Sequence, residues 1–153
     1  MTDKNNIEIK TGDIVEITDA FFKTDNGLYF VTASPDDPSW SGRDHCLKKI
    51  SRKGKISTAK YNICFWPIGV FVSDRAKAAE ARRWNKEHAQ IEVKSVSDMA
   101  EVKAYFQARV KDCEAAIRRE TWDFGEDAEC VQKDKTFLAH YEAVIRRIEG
   151  ATA

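Results

Sequence analysis

What this sequence lacks narrows it first. No apolar run approaches the roughly 18 residues that a membrane span needs, and Met1 is followed by Thr2, Asp3, Lys4, Asn5 and Asn6 rather than by a charged start and an apolar signal core. The expectation is a soluble, cytoplasmic chain with no membrane partner. Cysteine is limited to four residues, Cys46, Cys64, Cys113 and Cys130, and no two of them, nor of His45, His88 and His140, stand at the close spacing of a zinc site. Without a secretion signal they read as reduced thiols, mostly buried, and no metal is expected. There is no Gly-rich phosphate loop, no G-x-S-x-G and no H-E-x-x-H. The chain therefore reads as non-enzymatic and free of cofactors. No internal repeat or low-complexity tract is visible.

What is present suits a folded domain. In 153 residues, 42% are hydrophobic and 33% charged, enough to bury one core, or a small barrel of about 65 residues with a helical appendage. Net charge is zero but uneven. Residues 1–40 carry three lysines against eight acids, whereas residues 41–60 carry seven cations against Asp44 alone.

Short β-rich runs alternate with turn signals over residues 7–72. Ile14, Val15 and Ile17 form the first clear strand. Asn26-Gly27, both tolerant of positive φ, separates the Phe21-Phe22 segment from the run 28–32 and marks a hairpin. Residues 34–42, with Pro35 and Pro38, form an exposed loop tipped by Trp40. Residues 46–50 and 56–58 flank a second turn at Gly54, and residues 62–66 and 68–72 complete the set around a bend at Pro67. Phe30, Phe65, Trp66 and Phe71 alternate with polar neighbours and read as core.

After Val72 the apolar period changes from two to about 3.6. Ser73 can cap a helix over residues 74–89 whose one large apolar residue is Trp84; residues 91–94 are a brief extended piece. Ser97-Asp98 begins a helix with Val102, Phe106, Val110, Cys113 and Ile117 on one face, and the last helix aligns Val131, Leu138, Tyr141, Ile145 and Ile148 likewise. The two stripes bury one another as a helical hairpin joined through residues 121–125. The fold class is therefore α+β: a small SH3-like β-barrel (1–73), a connecting helix and short extended segment (74–96), and an α-helical hairpin (97–153).

The segment Gly12-Asp13-Ile14-Val15-Glu16-Ile17, followed by Gly27 and Val31, resembles the KOW segment of transcription-elongation and ribosomal proteins, over residues 12–31. That likeness implies a small barrel that contacts RNA or protein. The whole chain looks like small accessory proteins of bacterial phages and conjugative elements, a class that includes anti-CRISPR inhibitors of host defence.

Among candidate sites, His45-Cys46 is the one adjacent pair that suggests nucleophilic chemistry, but neighbours on a strand face opposite ways, and a buried Cys46 beside an exposed His45 is expected. Asp36-Asp37, or Asp123 with Glu126 and Asp127, could be paired carboxylates, yet their turn and helix-start contexts account for them. Lys48, Lys49, Arg52, Lys53, Lys55 and Lys60 concentrate positive potential, with Tyr61 and Trp40 as stacking platforms for bases. The competing account is a solvated hairpin whose lysines blunt an edge strand. Trp40 and Trp122 either anchor an interface or cap the core. The expected function is a non-enzymatic binding protein engaging nucleic acid or a nucleoprotein complex, a CRISPR effector among the candidates, to inhibit a host nuclease. The alternatives are a protein-binding adaptor or homodimer using the helical hairpin, and an enzyme without a recognisable motif.

Overall fold

The structure is a computed structural model that describes residues 1–51, 55–56, 63–70, 74–94 and 100–152. Among the described residues, runs of β-branched and aromatic residues build six strands, β1 (Ile14–Thr18), β2 (Gly27–Ala33), β3 (His45–Ile50), β4 (Ile63–Trp66), β5 (Gly69–Val70) and β6 (Gln90–Lys94). Three helices among them follow the 3.6 period: α1 (Arg75–Glu87), α2 (Ala100–Phe124) and α3 (Glu129–Thr152). The α+β class and the helical hairpin are as the sequence pattern indicates.

A closed barrel is not formed. The strands lie in one antiparallel sheet in the order β5-β4-β3-β2-β1-β6, leaving β5 and β6 at its edges. The extended piece expected over residues 91–94 is borne out within residues 90–94, which join the sheet. They form β6, which runs beside β1 from Ile14 opposite Lys94 to Thr18 opposite Gln90. The outer edge of β6 is covered by the first residues of the chain. Lys4 N–H donates to Ile91 O at 3.0 Å, and the Asp3 carboxylate accepts from Val93 N–H at 2.9 Å, so an otherwise open ladder is partly satisfied.

Side-chain alternation divides the core into two layers. Val15, Ile17, Tyr29, Val31, Leu47, Cys64, Trp66 and Ile91 share one face with Ile9 and Ala20. Ile14, Phe30 and Ile50 share the other, where Val102 and Phe106 of α2 and Val144 and Ile148 of α3 cover them. Thr32 is the extra residue of a bulge between β2 and β3, and its hydroxyl donates to Cys46 O at 3.0 Å.

The first hairpin is wider than Asn26-Gly27 alone suggests. β1 and β2 pair from Ile17 opposite Gly27 back to Ile14 opposite Phe30, and a 3₁₀ turn (Lys23–Asp25) fills the loop between them. Asn26 contributes its side chain, accepting from Ala20 N–H at 2.9 Å.

α1 is capped by Asp74, whose carboxylate accepts from Ala76 and Lys77 N–H groups. Trp84, its one large apolar residue, is 43% exposed, and Ala81 and Asn85 are the buried ones. The reason is polar: Asn85 accepts from Phe21 N–H and donates to Pro67 O, so it joins the β1–β2 loop to the β4–β5 turn. At the same place Gly69, with φ +115°, lies so close to Asp25 that a Cβ would stand 2.2 Å from the carboxylate. Side chains thus bring the β5 end of the sheet against the β1–β2 loop.

Candidate functional site

The basic run divides when it folds. Lys48 and Lys49 are neighbours on β3, so the pleat sends them to opposite faces. Lys48 Nζ lies 5.8 Å from the ring centre of Tyr105 on α2, while Lys49 Nζ lies 5.8 Å from that of Tyr29 and donates to Thr24 O at 3.1 Å. Each ammonium is engaged by the protein's own rings, a contact worth about 0.5–1 kcal/mol at an exposed position. Lys55 is exposed in the turn after β3, which Ser51 N–H closes onto Lys55 O at 2.8 Å. Arg52, Lys53, Lys60 and Tyr61 lie outside the described residues, as do Gly54, Phe71, Ser73, Ser97 and Asp98.

Trp40 does not tip an exposed loop. It is folded back with its ring nearly parallel to Phe65, at 12° and 6.2 Å, and its indole N–H donates to Asp44 O at 2.9 Å. Gly42 permits this, since a Cβ there would meet the indole at 2.4 Å.

The expected roles of His45 and Cys46 are reversed. His45, opposite Trp66, is buried, and Cys46 is half-buried. Burial first, and the nearby amino group of Met1 second, push the imidazole pKa down and favour its neutral form. Burial pushes the Cys46 thiol up, which suppresses the reactive thiolate.

The far end of the helical hairpin has a different character. α2 and α3, about 35 Å long at 1.5 Å per residue, pack on the sheet through Val102, Phe106, Val144 and Ile148. Beyond these, Val110, Cys113 and Ile117 are half-buried, and at the tip Trp122 is 90% and Phe124 70% exposed. Gly125, at φ +91°, ends α2 as a left-handed cap, its N–H reaching Thr121 O at 3.0 Å. Residues 120–129 carry five acids, Glu120, Asp123, Glu126, Asp127 and Glu129, and no Lys or Arg. Glu120 lies beside Asp134, and that second carboxyl raises its pKa. Two exposed aromatics in an acidic field make a contact surface of definite chemistry.

A third polar assembly ties the hairpin to the sheet. The Thr11 hydroxyl donates to the Asp37 carboxylate and lies 3.1 Å from Ser34 Oγ; Ser34 N–H donates to the same carboxylate at 2.9 Å, and His140 of α3 approaches it to 3.5 Å. Burial opposes charge on Asp37, but the nearby His140 and the hydrogen bonds from Thr11 and Ser34 outweigh it and hold the carboxyl below its ordinary range. Nearby, Arg147 donates to Thr11 O and, at 3.1 Å, to Asp13. Over a hundred residues separate His140 from Asp37 and Arg147 from Thr11 and Asp13, so no local signal announces these contacts.

Among the described residues, no group of three or more His, Cys, Asp or Glu side chains is arranged to hold a metal ion. No helix among them is long and apolar enough to cross a membrane. The chain matches no protein-family model, no curated protein and no solved structure.

Proposed function

We propose that this chain is a non-enzymatic binding protein in which the two-faced sheet is a rigid base and the helical hairpin an arm that docks a protein partner through its tip. The observation that carries the reading is the exposure of Trp122 and Phe124 at the end of the arm. Large aromatics mostly open to water are expensive to keep on a free surface, and they are the residue types that anchor interfaces. The surrounding carboxylates favour a basic partner surface, including the basic groove of a nucleic-acid-binding protein, and disfavour direct contact with phosphate. Inhibition of a host nuclease by a mobile-element protein is compatible with this chemistry.

A second reading is direct nucleic-acid binding through the turn after β3. Lys55, exposed there, supports it, with Arg52, Lys53 and Lys60 close in sequence. The two are separated by isolating partners of the full chain from the native host with and without nuclease, identifying them, and reconstituting the complex from purified components. A reconstituted protein complex that survives nuclease and is lost in the Trp122→Ala, Phe124→Ala double variant supports the arm. Retention by that variant defeats it. Nuclease-sensitive binding abolished by changing Arg52, Lys53 and Lys55 to Ala supports the basic turn.

A further inference from the structure

We infer that the cleft between the start of β3, the β4–β5 turn and α1 is a binding site for a small phosphate monoester. The cavity measures about 580 Å³, within the range of small-molecule sites. Its lining holds four cations, Lys4, Arg43, Arg82 and Lys86, against two acids, Asp3 and Asp44. Both acids are already occupied. Asp3 accepts from the N–H groups of Asn5, Ile7 and Val93, and Asp44 is held by both terminal nitrogens of Arg82 at 2.7 and 2.8 Å.

That ion pair fixes the Arg82 guanidinium beside the cleft while using two of its five N–H donors. Lys4 is bound to Glu92 at 3.0 Å. Arg43 and Lys86, both exposed, have no acidic partner among the described residues. Arg43 and Lys86, without an acidic partner, line one cleft with the Arg82 guanidinium that Asp44 holds, and together they match the charge and the hydrogen-bond acceptors of a phosphate dianion. A bare phosphate would leave most of the cavity to water. The apolar part of the wall, Trp66, Pro67 and Ile91, accommodates a compact organic group.

The site is independent of the arm and survives failure of that reading. It is tested by calorimetric titration of the full chain at low ionic strength with adenosine monophosphate, ribose 5-phosphate and inorganic phosphate. At least one ester is expected to bind saturably, one per chain, and about tenfold or more tighter than inorganic phosphate. Arg43→Ala and Lys86→Ala should each weaken it about tenfold, the loss of one charge-assisted contact. Lys133→Ala, an exposed cation on α3, should leave it unchanged, and circular dichroism should show all three variants folded. Absence of saturable ester binding, phosphate binding as tightly as both esters, or parental affinity in both cleft variants would overturn the proposal.

Discussion

At Phe106, α2 is fully buried between the sheet and α3; three turns on, at Ile117, the same helix is half-buried; at Trp122 its side chain is 90% exposed. The base and the arm thus share two continuous helices but not one mode of stabilisation. The base buries side chains on both faces of a sheet. The arm's outer half relies on the mutual burial of two stripes, and helices of that kind open locally at lower free energy than a core shared with a sheet.

The largest expected effect is at the junction. Phe106 meets Phe30 and Tyr141 edge-on or tilted at 6.2 and 6.4 Å. Phe106→Ala should cost roughly 3–5 kcal/mol in a denaturant titration. A loss under about 1 kcal/mol would mean that sheet and hairpin do not share a core.

Next is the polar tie between arm and base. Asp37 has a lowered folded pKa, so its contribution is fully present above the ordinary value of 3.8 and lost as pH falls through the lower folded value. Asp37→Asn should cost about 1–3 kcal/mol at pH 7, and the gap between parent and variant should close in acid below pH ~4. A gap that persists unchanged at pH 2 would show that the cost is steric.

Within the outer arm, Ile117→Ala removes a half-buried side chain and should cost about 1–2 kcal/mol. Amide hydrogen exchange should accelerate in residues 110–131 and stay unchanged in β1 and β2. Acceleration spread evenly over the sheet would erase the distinction between arm and base. The smallest effect is expected at Lys103→Ala, whose ammonium pairs with Glu149 at 2.9 Å on a partly exposed face. It should cost less than about 1 kcal/mol, and less in high salt.

The helices were legible because their apolar spacing is local. Val102, Phe106 and Val110 fall on one face whatever covers them, and the paired stripe of α3 needs one partner of similar length. Most strands were legible for the same reason, as the β-rich run Ile14-Val15-Glu16-Ile17 shows. The place of the sixth in the sheet was not. Gln90-Ile91-Glu92-Val93-Lys94 alternates correctly, but nothing within the segment says that β1 has a free edge on which to receive it. Likewise Lys48 and Lys49 read as one patch in a line of letters, although the pleat divides them.

By itself the sequence determined the class of the fold, the two long helices and which of their faces turn inward, because periodicity is a property of neighbouring residues. Tertiary structure alone decided which buried face meets which layer. It turned Trp40 inward onto Phe65 and left Trp122 outside. It buried His45 rather than Cys46 and brought Asp37 to His140. It assembled Arg43, Arg82 and Lys86 around one cleft. Exposure and charge complementarity depend on what arrives from elsewhere in the chain, and that is settled only when distant segments pack together.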